Sequence, residues 1–182
     1  MEALQAIKDR LPEYAKDLRL NFDAVLQRSS LTPVQARGAA LAAAFAAKSP
    51  ALIEALRDPA MLEATHAQAA QTAAALMGMN NVWYPFVEMA GDPELKTIRP
   101  ELRMNAYATH GGVERQTFEL YALAASIVGK CSFCVQSHAK LLRESGLTTQ
   151  QLRDVGRIAA VTSAVAQVLA AESIASEAAV AA

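Results

Sequence analysis

Cys131, Cys134 and His138, in the run CSFCVQSH, are the residues of this chain whose types and spacing are best suited to chemistry. The sequence of 182 residues contains only these two cysteines. On an α-helix at about 100° per residue the three side chains fall within roughly 60° of one another, so they share one narrow face. Glu119, in FELYALAA, lies twelve residues before Cys131.

Position along the chain separates the tasks of the two thiols. Gly129-Lys130 is expected to break the chain between the Glu119 helix and the cysteine helix, leaving Cys131 at or near a helix N-terminus. Unpaired N–H groups and the positive end of the helix dipole favour a thiolate there. Cys134 sits a turn inside, and His138 is its i+4 neighbour, near enough to share a proton. A thiolate can attack a peroxide oxygen to give a sulfenic acid, which a second thiol converts to a disulfide; the CxxC spacing makes that closure local and reversible. Glu119, on the preceding helix, is placed to orient His138 and stabilise its charged form. Other readings stay open. Two cysteines and a histidine are also three zinc ligands, although a structural zinc site wants four. A non-enzymatic helical protein with a thiol redox sensor would carry the same pair. His66 and His110 have no partner pattern and read as solvated or core histidines. Met77, Met79, Trp83, Tyr84 and Phe86 read as a packing stripe, in the core or at a subunit contact.

The elements that must position these residues read as helical throughout. Thr32-Pro33, Ser49-Pro50, Asp58-Pro59 and Asp92-Pro93 each place a capping residue before a proline suited to the first helical position. Apolar residues recur at helical spacing, as in Leu52, Ile53 and Leu56, and in Val155, Ile158, Ala159 and Val161. No alternating β-branched run marks a strand. Helices are expected near 2–10, 12–29, 33–48, 50–57, 59–78, 80–90, 114–128, 131–145 and 148–172, with the tail after Ser173 fraying. The fold class is all-α: one compact multi-helix domain over 1–182, with a scaffold half (1–90), an irregular connection (91–112) and a catalytic half (113–172). A faint repeat at a shift of 82 residues lays 36–52 on 118–134, matching Lys48 to Lys130 and Ser49 to Cys131. Arg37, Leu52 and Leu56 then stand where Glu119, Cys134 and His138 do, so only the second copy carries the chemistry.

Composition limits the partners. Seventeen basic and eighteen acidic residues give a net charge of -1, which offers no electrostatic footprint for nucleic acid or an anionic membrane. The N-terminal stretch lacks the uninterrupted apolar core of a signal peptide. No span of the roughly 20 apolar residues that a membrane helix needs is expected without a charge near its centre. A cytoplasmic protein is expected, and in that reducing compartment a cysteine pair is more often catalytic, redox-active or metal-binding than a structural staple.

Glu119, eleven intervening residues and CSFCVQSH together closely resemble the alkyl hydroperoxidase D family, the CxxC-bearing branch of the carboxymuconolactone decarboxylase-like proteins. The stretch from Met79-Asn80-Asn81-Val82 to Tyr84, FELYALAAS and IAAVTSAVAQVL extend the resemblance over most of the chain. It implies an all-helical homo-oligomer, commonly a trimer, acting as an alkyl hydroperoxide reductase with no bound metal or haem. It also implies an adaptor role, carrying electrons from a dihydrolipoamide-bearing (lipoylated) protein to an AhpC-type peroxiredoxin. Cys134 carries over as the attacking thiol, Cys131 as its resolving partner in a redox disulfide, and His138 with Glu119 as the proton relay. Helix-end electrostatics favours Cys131 as the lower-pKa thiol, but a base in contact activates more directly, so Cys134 is the expected peroxide nucleophile. Cys131, expected to be the more exposed, is then the point of exchange with a dithiol reductant. Phe133 departs from the pattern, because the best-known members carry a histidine there. The alternative for this fold is a decarboxylase or isomerase like its cysteine-free members, a reaction with no need of two thiols one turn apart.

Overall fold

Two of the four marked helix starts hold. Thr32 caps its helix through a full capping box: its hydroxyl accepts from Gln35 N–H, and the Gln35 side chain accepts from the Thr32 backbone. Ser49 precedes Pro50 at the next start. Asp58-Pro59 and Asp92-Pro93 form turns instead. Asp58 Oδ1 accepts from Ala60 N–H at 2.9 Å and Asp92 Oδ1 from Glu94 N–H at 2.8 Å, the local bonding by which aspartate competes with a helix.

The computed structural model describes residues 2–180, with side chains described through residue 174. The helices are α1 (Glu2–Asp9), α2 (Lys16–Gln27), α3 (Pro33–Ala46), α4 (Pro50–Leu56), α5 (Ala64–Ala90), α6 (Asn105–Ala108), α7 (Arg115–Val128), α8 (Ser132–Glu144) and α9 (Thr149–Val180). Short 3-10 turns cover Glu13–Ala15 and His110–Gly112. No strand occurs among the described residues, so the fold is all-α. The helices expected near 59–78 and 80–90 are one helix that starts at Ala64, runs through Met79 and Pro85, and ends at left-handed Gly91. The tail also differs, since α9 continues to Val180; the last two residues of the expected fray lie outside the described residues.

Helices α3 and α7 pack against each other at the centre, with α5 and α9 each lying against both. The central pair can approach closely because its facing residues are small: Ala36, Ala39, Ala40, Ala42 and Ala44 are buried in a core that includes Phe118, Leu120 and Tyr121. Gly38 is required at this crossing, because a Cβ there would lie 2.2 Å from Tyr121 Cζ. By length and composition α9 would suit a membrane span over Thr149–Ile174, unlike the expectation for this chain. Its apolar character instead serves the core, where Val155, Ile158, Val165 and Leu169 are buried.

The two halves repeat in backbone detail. Lys48 and Lys130 both adopt left-handed φ, at 57° and 56°. Ser49 N–H bonds Ala44 O and Cys131 N–H bonds Ser126 O, while Lys48 N–H bonds Phe45 O and Lys130 N–H bonds Ile127 O. Each pair of bonds closes the same Schellman-type helix end, and every partner differs by the 82 residues of the sequence repeat. The following cap residues also match, Ser49 at ψ 99° and Cys131 at ψ 101°.

Asp154 of α9 ties down the loop that enters α3. Its carboxylate, almost fully buried, accepts from Ser30 N–H and Ser30 Oγ, both at 2.8 Å, and from Arg153 and Arg157. Burial pushes this carboxyl up, but the Ser30 bonds and then the two arginines outweigh it and hold it below the usual range. A depressed carboxyl stabilises the fold above its unfolded pKa and loses that contribution as pH falls through its folded pKa. Asp154→Asn is therefore expected to cost about 1–3 kcal/mol at neutral pH, towards the low end because the arginines are solvent-screened. The gap from wild type should shrink in acid below about pH 4, as read by denaturant unfolding across pH.

Candidate active site

The turn between α7 and α8 sets the site. Lys130 supplies the left-handed residue that ends α7, and Cys131 takes the extended conformation of an N-cap. Gly129 itself is right-handed; it is glycine because a Cβ would lie 2.0 Å from Asn81 Nδ2 of α5. That closeness lets Asn81 Nδ2 donate to Ala125 O at 3.2 Å, fixing α5 against the end of α7.

Cys131 and Cys134 are joined in a disulfide. Cys131 Sγ accepts from Cys134 N–H at 3.2 Å, so the sulfur occupies the capping position at the positive end of α8. The Asn80 carbonyl of α5 lies 4.0 Å from the same sulfur. Both sulfurs are shielded: Cys131 is 0 % exposed and Cys134 3 %. The expectation of a more exposed Cys131 is corrected, because the α5 backbone around Asn80 covers the start of α8.

Glu119 of α7 and His138 of α8 form a buried pair, with His138 Nδ1 2.6 Å from Glu119 Oε2. The Nε2 edge of the ring faces Met77 Sδ of α5 at 3.1 Å. Tyr107 OH donates to Glu119 Oε1, and Arg115 Nε approaches the same oxygen at 3.9 Å. Burial pushes the Glu119 carboxyl up, but the hydrogen bonds from His138 and Tyr107, with the charges of His138 and Arg115, outweigh it. The carboxyl therefore sits below its ordinary value and is ionised at neutral pH. Burial, reinforced by the bond to this carboxylate, pushes the Tyr107 phenol well up, so it remains a donor. With Nδ1–H directed at the carboxylate, Nε2 is the ring atom left to take or give a proton.

Of the four expected residues, Glu119 and His138 meet in a direct bond, and the two cysteines lie at the head of the helix that carries His138. Sequence reasoning missed Tyr107, which comes from the irregular connection, where no periodicity singles it out. Arg115 was findable, since it stands four residues before Glu119 on one helix face. Met77 belonged to the expected packing stripe but reaches the imidazole. His66 bonds Tyr121 OH at 3.0 Å, and His110 packs against the rings of Tyr107 and Phe118. Among the described residues, no cluster of three or more His, Cys, Asp or Glu is arranged to hold a metal ion.

A helical frame presenting a CxxC disulfide at a helix cap, backed by a buried carboxylate–imidazole pair, defines a dithiol–disulfide protein. Residues 93–177 match the carboxymuconolactone decarboxylase family. The chain is similar to the alkyl hydroperoxide reductase AhpD of Rhodospirillum centenum, with 46 % identity over 93 % of this chain and 92 % of that protein. The proteins of the same name from Maricaulis maris and Streptomyces avermitilis are 42 % and 41 % identical, covering 94 % and 96 % of this chain and 99 % of each relative. The chain belongs to the alkyl hydroperoxidase D family.

Tyr107→Phe removes a donor to the ionised form of Glu119, and loss of such a bond disfavours the charged form. The Glu119 carboxyl is expected to titrate at higher pH in that variant, with a stability loss of about 1–3 kcal/mol. Carboxylate infrared bands followed across pH, assigned with Glu119→Gln, measure the shift; an unmoved carboxyl would show that Tyr107 does not support the pair.

Proposed function

We propose that the protein is a thiol-dependent alkyl hydroperoxide reductase in which Cys131, Cys134, His138 and Glu119 carry the reaction. One observation bears most of the weight: the Cys131–Cys134 disulfide opens the same helix that carries His138, whose Nδ1 is held by Glu119. The relatives named alkyl hydroperoxide reductase support the reading.

In the reduced state Cys134 gives its proton to His138 Nε2, and Glu119 stabilises the imidazolium through Nδ1–H. The Cys134 thiolate attacks a peroxide oxygen. An S–O bond forms, the O–O bond breaks, and the departing alkoxide takes the proton from His138 to leave as an alcohol. The Cys131 thiolate then attacks the sulfenic sulfur. The S–S bond closes, and the departing hydroxide takes up the proton that Cys131 released on becoming a thiolate and leaves as water. Each cycle reduces one hydroperoxide by two electrons, which a dithiol restores through two thiol–disulfide exchanges. Dihydrolipoamide on a lipoylated partner is the proposed dithiol, and an AhpC-type peroxiredoxin disulfide is a second acceptor for the same electrons. No bound cofactor is proposed. Cytoplasmic residence follows from the need to keep the pair reducible. Assembly as a homotrimer would cover Val82, Phe86 and Met89, exposed apolar residues along one face of α5.

The test supplies dihydrolipoamide, its reductase and an organic hydroperoxide, with and without a peroxiredoxin, and follows NADH consumption. Wild-type protein is expected to turn over. Cys134→Ser should abolish peroxide-dependent oxidation, Cys131→Ser should accumulate a trappable sulfenic acid, and His138→Ala should lower kcat/KM by about 10²–10⁴-fold. The reverse behaviour of the two cysteine variants would overturn the assignment of nucleophile and resolving thiol.

A further inference from the structure

A cleft of about 610 Å³ opens where the end of α5, residues 95–100 of the connection and the first turn of α8 meet. Its walls are largely apolar and aromatic, with Trp83, Tyr84, Val87, Ile98, Pro100 and Phe133 among the lining residues. Two cations, Lys96 and Arg99, also line it, against one acid, Glu88. An apolar trough with a net positive edge fits an amphipathic ligand with a hydrocarbon chain and an anionic end.

The cleft lies beside the cysteine turn along one edge of α5, with Ser132 and Phe133 of the CxxC in its wall. Asn80 contacts Cys131 Sγ, Tyr84 one turn later stacks on Phe133 with ring centroids 4.2 Å apart, and Val87 and Glu88 line the cleft beyond. From Asn80 to Val87 the helix rises about 10 Å. Phe133, half exposed and next to Cys134 in the chain, forms the part of the cleft wall nearest in sequence to the disulfide. This edge of α5 is distinct from the face bearing Val82, Phe86 and Met89.

We propose that this cleft binds long-chain carboxylates, with Lys96 and Arg99 taking the carboxylate and the Tyr84–Phe133 side taking the chain. Resting on the peroxidase reading, the substrate class is then the carboxylate-bearing alkyl hydroperoxide, an oxidised fatty acid, oriented with its chain towards the CxxC.

Trp83 is the sole tryptophan of the chain and lines the cleft, so its fluorescence reports occupancy of the full-length protein without any turnover. Titration with decanoate and with its neutral counterpart decanamide is expected to show decanoate binding about tenfold more tightly. The paired substitution Lys96→Gln and Arg99→Gln should bring decanoate to the decanamide level and leave decanamide unchanged. Equal binding of the two probes by wild-type protein overturns the proposal, as does a preference that survives the paired substitution. Lipoamide matching decanoate would assign the cleft to the reductant, and a response seen only after dissociation of an oligomer would assign it to a second copy; either result overturns it. In the coupled assay, the double variant should lose about tenfold in kcat/KM for a fatty-acid hydroperoxide and nothing for tert-butyl hydroperoxide. Carboxylate-selective binding without turnover of either hydroperoxide would support the cleft and sink the peroxidase reading, so the two claims fail separately.

Discussion

A carboxylate buried between two helices dictates most of the geometry around the cysteines. Glu119 is 2 % exposed, and an ion so placed is tolerated only when its oxygens are satisfied by donors and positive charge. His138 of α8 meets one oxygen, Tyr107 of the connection meets the other, and Arg115 adds charge from the preceding turn of the same helix. Each partner brings an element with it. The pair binds α8 to α7, and the tyrosine draws the otherwise irregular connection down over the site. The imidazole is left with Nδ1 held by the carboxylate and Nε2 facing only the weakly accepting Met77 sulfur.

The repeated helix–turn–helix unit shows how little backbone change separates a scaffold from a site. Both copies end a helix on a left-handed lysine and start the next on a residue with nearly the same ψ. In the first copy, Leu52 and Leu56 occupy the places of Cys134 and His138 and are fully buried core residues. Arg37, in the place of Glu119, gives its guanidinium to the Met61 carbonyl at 2.7 Å and so braces the chain that enters α5. One copy spends these positions on packing, and the other spends them on two sulfurs, an imidazole and a carboxylate.

Helix α5 serves both the site and its surroundings because it is longer and more continuous than its glycine and proline suggest. Met77 meets the imidazole, Asn80 and Asn81 meet the start of α8 and the end of α7, and Tyr84 stacks on Phe133. An aromatic residue at 133 extends an apolar wall towards the disulfide. A histidine there would place a titratable group in the same position.

The candidate site residues and the helical class were legible in the sequence because they depend on local spacing. A CxxC with an i+4 histidine shares a face of any helix that contains it, and the Thr32 capping box and the Lys48–Lys130 repeat are short-range patterns. The aspartates at 58 and 92 misled because a proline start and an aspartate turn look alike until the backbone bonds are known. Tyr107 and Met77, the covering of Cys131 by α5, and the cleft beside Phe133 were decided by tertiary structure alone. Each depends on segments tens of residues apart meeting in space, and no periodicity along the chain records which surfaces the packing of α5, α7 and α8 will bring together.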